Sequence, residues 1–252
     1  MRISIIIPNY NKAKYLKQCV ESCLNQTYEN TQIIFVDNES KDNSLQIANE
    51  IKQNSKKDFI IDVAKNIYPR CWDECIEKSR EYLEADYYTI VGSDDYLHPS
   101  YIENAVNYIK STSCDFMQSR LMWVSEDNQI INNYKHEYSN IQELKAKMLY
   151  GCHVNSPTVF YNVKTLDNSK LKANSLKYSG ASDYDLYCQM IDQGYYIYNS
   201  DNWLGYYYRL NPTQATLQMQ KDEIKYDNII QKKWRDKWNF KNWLKYYKNK
   251  CF

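Results

Sequence analysis

Residues 3–11 read ISIIIPNYN, residues 32–40 read QIIFVDNES, and residues 87–95 read YYTIVGSDD. Each segment opens as a short apolar, β-branched or aromatic run and closes in a polar turn. Runs of this length and composition fit strands buried on both faces. Between them the spacing changes to helical. Tyr15, Leu16, Cys19, Val20, Cys23 and Leu24 recur on one helical stripe. Asp42 or Asn43 caps a second helix carrying Leu45, Ile47, Ala48 and Ile51. Phe59 to Val63 is a further strand candidate, residues 72–84 read as helix, and Pro99 opens a helix with Ile102, Ala105, Val106 and Ile109. Strands alternating with helices at this pace predict an α/β fold with a Rossmann-like, mostly parallel central sheet flanked by helices. In such sheets ligands bind beyond the carboxyl ends of the strands. The turns 8–11, 37–40 and 92–95 fall at those ends, and their convergence is the main structural expectation.

The second half is less regular. Residues 115–124 and 157–161 read as strands, 183–193 as a helix ended by Gly194, and Trp203 to Tyr208 as another strand. Helical spacing resumes from about Leu217 to Trp238 as a C-terminal extension. The expected division is 1–112, a ligand-binding half; 113–216, a second half of the same domain; and 217–252, a helical tail rich in basic and aromatic residues.

A chain of 252 residues, 43% hydrophobic and 25% charged, can bury a sizeable core and is not disordered. The first apolar run ends at Pro8, so it is expected to be a buried strand rather than a leader, in a cytoplasmic protein. The eight cysteines include two pairs four apart and no CxxC, so free core thiols are expected. Residues 232–252 carry eight Lys or Arg against one Asp, leaving the rest of the chain net acidic. With Trp234, Trp238, Phe240, Trp243, Tyr246 and Tyr247, this tail is a candidate for peripheral membrane contact. The alternative is a C-terminal helix pair packing its aromatics onto the domain, with its lysines solvated. Nothing points to nucleic acid.

Asp94 and Asp95 end a buried strand side by side, an arrangement that is costly unless a cation or strong donors neutralise it. Oxygen ligands of this kind suit Mn²⁺ or Mg²⁺, which bind one or two carboxylates together with substrate phosphates. The competing reading is a turn and a helix cap ahead of Pro99.

At this point the chain resembles an inverting family 2 glycosyltransferase of the GT-A fold, of the kind that builds bacterial surface polysaccharides. The similarity rests on IIIPNYNKAKYLKQCVESCLNQTYENTQIIFVDNESKDNS and YYTIVGSDDYLHP, and with later motifs covers roughly residues 1–216. The resemblance implies a nucleotide-sugar donor, favouring a UDP-sugar, and a glycan or lipid-linked glycan acceptor, as in capsule or lipooligosaccharide. It implies that Pro8, Asn9 and Tyr10 line the base and ribose pocket, and that Asp37, with Asn38, accepts hydrogen bonds from base or ribose. Asp94 matches the metal-binding Asp, with Ser93 and Asp95 beside it, while Gly92 stands where many members have a first Asp. Arg70 is read either as a diphosphate contact or as a solvated surface residue. Ser182-Asp183-Tyr184-Asp185 resembles the motif whose Asp is the general base. Ser182 replaces a Glu, Asp183 aligns with the base, and Asp185 is the alternative. Tyr206-Tyr207-Tyr208-Arg209 resembles a late segment whose Arg pairs with a phosphate, and Asn211 stands where a His is common. Two other readings are carried along: a sugar-1-phosphate nucleotidyltransferase, against which the absence of a Gly-rich basic loop after the first strand speaks, and a non-catalytic binding homologue.

Overall fold

A computed structural model describes residues 1–238. The strands are β1 (Ile3–Asn9), β2 (Thr31–Asp37), β3 (Asp58–Val63), β4 (Tyr87–Ile90), β5 (Tyr96–Leu97), β6 (Phe116–Val124), β7 (Ile130–Tyr134), β8 (Phe160–Asn162) and β9 (Ile197–Arg209). The helices are α1 (Ala13–Leu24), α2 (Ser44–Gln53), α3 (Cys71–Arg80), α4 (Tyr101–Thr112), α5 (Ile141–Lys147), α6 (Val163–Ser169), α7 (Ser175–Tyr178), α8 (Ser182–Asp192) and α9 (Ala215–Lys237). Among the described residues the strands form one sheet in the order β3-β2-β1-β4-β8-β6-β9-β5, with β7 on β6.

The first half behaves as its pattern dictates. Every residue of β1 and β2 is buried, and β3, β2, β1 and β4 pair in parallel. Side chains alternate across the sheet. Ile3, Ile5 and Ile7 therefore join the core with Leu16, Val20 and Ile102 of α1 and α4, whereas Ile6 faces the core built with Leu144, Tyr187 and Ile230 of α5, α8 and α9. Each such side chain contributes about 1.5–3 kcal/mol when fully buried.

Beyond β4 the sheet becomes mixed. β8 runs antiparallel to both β4 and β6, and β9 runs parallel to β6 and antiparallel to β5. The start of β8 therefore lies beside the end of β4. This brings the 3-10 turn Ser156–Thr158, just ahead of β8, to the sheet edge where residues 92–95 leave β4. Because β5 lies in the first half and β9 in the second, one sheet crosses the expected boundary at 112/113. The elements β5, β7, α5, α6 and α7 are not in the periodicity, being short or, in β7, exposed throughout.

Seven cysteines are free and Cys251 lies outside the described residues. No described helix is long and apolar enough to cross a membrane. Of the aromatics considered for membrane contact, Trp234 is 1% exposed and Trp238 donates its indole N–H to Asp192 at 2.9 Å. Lys237 pairs with the same carboxylate at 2.6 Å. This part of the tail packs onto the domain, as the alternative reading had it, because its indoles and ammonium groups find buried or acidic partners there. Phe240, Trp243, Tyr246 and Tyr247 lie outside the described residues. Trp234→Ala is expected to cost about 3–5 kcal/mol and to lower the Tm by on the order of 10 °C. A melting curve matching that of the parent would show that α9 is not docked.

Candidate functional site

The turns after β1, β2 and β3 are bonded into one unit. Asn9 donates to Asp37 at 2.7 Å and to Ser40 Oγ at 3.1 Å. Asp37 also accepts the backbone N–H and hydroxyl of Ser40 at 2.8 and 2.7 Å. Asn38 N–H bonds the carbonyl of Asn9, and its side-chain amide reaches the carbonyls of Ala64 and Lys65. Asn11, at φ 52°, donates its N–H to Ser40 Oγ and accepts from Lys41 N–H. Pro8, Asn9, Asp37 and Asn38 are buried, while Tyr10 is 46% exposed and open to stack on a ring. Among the described residues the Oδ1 atoms of Asn9 and Asn38 are buried with no hydrogen-bond partner, a cost of about 1–3 kcal/mol each.

The two carboxylates after β4 separate. Asp95 is 3% exposed and turns inward. Its Oδ2 accepts the Tyr206 hydroxyl at 2.7 Å and its Oδ1 the Arg209 N–H at 2.8 Å. Burial first, and then the charge of Asp94, push its carboxyl well above the usual range, opposed by the bonds from Arg209 and Tyr206. Asp95 thus differs from the metal ligand expected of it, since both its oxygens are engaged in the interior. Asp94 turns the other way. Its Oδ2 meets Lys12 Nζ at 2.8 Å and Asn211 Nδ2 at 3.0 Å, and its Oδ1 carries no hydrogen bond among the described residues. Ser93 is buried between them and the strand.

A Cβ on Gly92 would lie 2.9 Å from Asp95 Oδ2 and 3.3 Å from Asp94 Oδ1. The inward seat of Asp95 is therefore matched to the glycine at position 92.

Arg209 also departs from expectation. It is 1% exposed, stacked between the Tyr15 and Tyr96 rings at 5.0 and 5.2 Å. Its donors go to the backbone carbonyls of Asp94 (2.7 Å) and Glu126 (2.8 Å) and to Gln18 (2.6 Å). With those donors spent inside the protein, it braces the site wall rather than reaching a phosphate. Arg70 pairs with Glu74 and Glu77 of its own helix, at 3.2 and 2.8 Å.

On the other side of β4, Ser156 Oγ donates to Asp183 Oδ2. That bond holds Asp183 at the same sheet edge as Asp94. Burial raises the Asp183 carboxyl, against the bond from Ser156. Asp185, two residues on, is 2% exposed, and its oxygens are bound by Lys233 Nζ at 2.7 and 3.0 Å and by Trp234 Nε1 at 2.7 Å. Asp185 anchors α9, and Asp183 is the one left at the edge. Asp227 on α9 was not visible as a site residue. Its carboxyl is raised to about 6, by burial first and then by the charge of Asp183. The sequence also gave no signal for Lys12 or Ser156, whose roles depend on chain crossings far from either motif.

A parallel sheet continued by a mixed half, with acidic turns gathered at one edge, is the architecture of GT-A glycosyltransferases. Solved structures agree with that fold. TarS 1–349 from S. aureus, in complex with UDP-GlcNAc, superposes with TM-score 0.69 at 19% identity, covering 91% of this chain and 65% of that one. The chain thus spans less than two thirds of the TarS fragment. The mannosyltransferase PcManGT from Pyrobaculum calidifontis, in complex with GDP-Man and Mn²⁺, gives 0.59 at 11% identity, covering 86% and 59%. The model of Glycosyl transferase family 2 matches residues 4–167, and the chain belongs to that family. A curated relative is the Escherichia coli UDP-Glc:alpha-D-GlcNAc-diphosphoundecaprenol beta-1,3-glucosyltransferase WfaP, 28% identical over 229 residues, 90% of this chain and 85% of that one. The protein is a glycosyltransferase, which sets the nucleotidyltransferase and non-catalytic readings aside.

The oxygens present fit a divalent cation as a one-carboxylate site. Mg²⁺ and Mn²⁺ often bind through one or two carboxylates with the rest supplied by substrate phosphates and water, and Asp94 Oδ1, without a hydrogen bond among the described residues, is the oxygen that would take that role. No group of three or more His, Cys, Asp or Glu could form an all-protein cage among the described residues. Gly92→Ala is expected to unseat Asp95 and lower the Tm by several degrees, about 1–3 kcal/mol. Differential scanning calorimetry reads this, and an unchanged Tm would mean that Asp95 has room to move.

Proposed function

We propose that this glycosyltransferase moves a sugar, with inversion, from a UDP-sugar to the glycan of a bacterial surface polymer, carried on a lipid diphosphate. The observation that carries the reading is the split of the two acidic pairs. Asp94 keeps Oδ1 without a hydrogen bond among the described residues and Asp183 is held at the same edge by the Ser156 hydroxyl and the Tyr184 N–H, while Asp95 and Asp185 are sealed inside by donors from β9 and α9. Family membership and the WfaP similarity support the donor and acceptor classes.

In this reading the base and ribose lie against the exposed ring of Tyr10 and the turn formed by Asn9, Asn38 and Asp37. Asp94 Oδ1 would hold a Mn²⁺ or Mg²⁺ ion. When bound, such an ion offsets charge developing on the departing diphosphate. Asp183 accepts the proton of the acceptor hydroxyl as that oxygen attacks the anomeric carbon. Ser156 fixes the orientation of its carboxylate. The nucleoside diphosphate leaves from the opposite face, which inverts the anomeric centre.

The test is sugar transfer from UDP-glucose or UDP-GlcNAc to a GlcNAc-diphospholipid acceptor, with Mn²⁺ supplied. Asp94→Ala is expected to lose about 10²–10³-fold in rate with the fold retained, and Asp183→Asn about 10²–10⁴-fold. Asp183→Asn should also raise the Tm. A carboxyl whose folded pKa is raised costs stability once ionised, so folding free energy is lost as pH rises through that pKa. Asp185→Asn should instead lower the Tm, because Lys233 and Trp234 lose a buried anion. Full activity in Asp183→Asn would remove it as the base.

The pH profile gives a second test. Asp183 works ionised and its carboxyl is raised, so kcat/KM should fall at a pH above the ordinary carboxylate value of about 4. The charge of Asp183 is felt by Asp227, whose carboxyl it helps to raise to about 6. Asp183→Asn should therefore lower the Asp227 pKa read by NMR titration, whereas an unmoved value would show that the two carboxyls do not interact.

A further inference from the structure

Lys12 directly follows the PNYN turn, and no part of the reading above uses it. Its Nζ lies 2.8 Å from Asp94 Oδ2, 2.8 Å from the carbonyl of Thr213 and 3.2 Å from Thr213 Oγ1. An ammonium has three N–H donors, and here three acceptors meet it. The Lys12 and Asp94 side chains are only 12% and 13% exposed. This is a mostly buried pair, in which loss of one partner strands the other, unlike the weak ion pairs of an open surface.

The surroundings hold the pair in register. Lys12 N–H bonds Ser44 Oγ at 3.3 Å, fixing the turn after β1 to the start of α2. Asn211 donates to the same Asp94 oxygen at 3.0 Å. The Oδ1 of Asn211 accepts the Thr213 N–H at 3.1 Å and its hydroxyl at 2.7 Å. Asp94 is therefore the point at which the turn after β1 is tied to the segment after β9.

We propose that Lys12 is the resident counter-cation of Asp94 and competes with the divalent cation that accompanies the donor diphosphate. The inference rests on the cation reading of Asp94. Two positive groups on one carboxylate repel, and the repulsion is strong where water is scarce. When cation and diphosphate have left, the ammonium neutralises Asp94 and clasps Thr213 against it. When they return, their charge lowers the hold of Lys12 on Oδ2, and the clasp on residues 211–213 loosens as the donor enters. Lys12 is a positioning residue, acting through Asp94 and not on the reacting atoms.

Mn²⁺ binding, measured by electron paramagnetic resonance with UDP as the nucleotide probe, tests this without turnover. Lys12→Met is expected to bind Mn²⁺ about tenfold more tightly than the parent, because one positive charge has gone from the carboxylate. Lys12→Arg, which keeps the charge, should stay close to the parent. In metal-free buffer Lys12→Met should melt below the parent, and Mn²⁺ with UDP should raise its Tm by more than it raises the parent's. Lys12→Gln serves as the uncharged variant if the methionine protein does not fold. Equal or weaker Mn²⁺ binding by the uncharged variant overturns the competition while leaving the cation site standing. Mn²⁺ binding that is absent from the parent, or untouched by Asp94→Asn, removes the site itself and both readings with it.

Discussion

The like charges of Asp94 and Asp95 at the end of β4 are the constraint on which the site depends. Two carboxylates about 4 Å apart repel by roughly 4 kcal/mol at an effective dielectric of 20. The fold answers by sending them opposite ways. Asp95 is drawn in by the Tyr206 hydroxyl and the Arg209 N–H, and Asp94 out to Lys12 and Asn211. Three of those four partners come from the end of β9 or the segment just after it. The pairing of β5 with β9, and hence the curl that brings the second half over the first, is what makes the acidic turn tenable. Gly92 and Gly205 are part of the same solution. A Cβ on Gly205, at φ 134°, would meet His98 Cβ at 2.9 Å and so part β9 from the turn after β5.

The acceptor side is organised by a second anchor. Asp185 binds Lys233 and Trp234, and Arg235 donates to the carbonyl of Leu149. With Ile230 and Trp234 fully buried, α9 closes the core under α8. A helix fixed in this way presents Asp227 to Asp183 along the stripe that Ile230 and Trp234 define, three and seven residues on. What looked from composition like a basic, aromatic tail is, as far as Trp238, a structural element of the domain.

Much of the first half was legible. In β1, β2 and β4 the apolar run and its polar end are contiguous in sequence, and parallel pairing needs only that each run be buried. The three turns at one edge follow from that alone. The second half was not legible to the same degree. β5 has two residues and β7 is exposed throughout, so neither has a period to detect, and the strand read at 157–161 is β8 at Phe160–Asn162 with a 3-10 turn ahead of it. Arg209 was read as a phosphate partner, and in the structure its donors go to the carbonyls of Asp94 and Glu126 and to Gln18. Its planar, permanently charged head suits a phosphate and suits a stack between two tyrosines equally well. Only the position of Tyr15 and Tyr96 in space decides between them.

The same limit explains both acidic pairs. Nothing in Asp94-Asp95 or in Asp183-Tyr184-Asp185 says which carboxylate faces the edge, because each is a short, symmetric pattern. The choice is made by donors far along the chain: Tyr206 and Arg209 for one pair, Lys233 and Trp234 for the other. In each pair one carboxylate is turned inward onto donors from a distant element, Tyr206 and Arg209 or Lys233 and Trp234, and its neighbour is left at the edge on donors of the surrounding turns. Burying a charge is costly unless it is fully hydrogen-bonded, so the sealed member takes the donors first. A reactive acid here is thus the one that the interior could not satisfy.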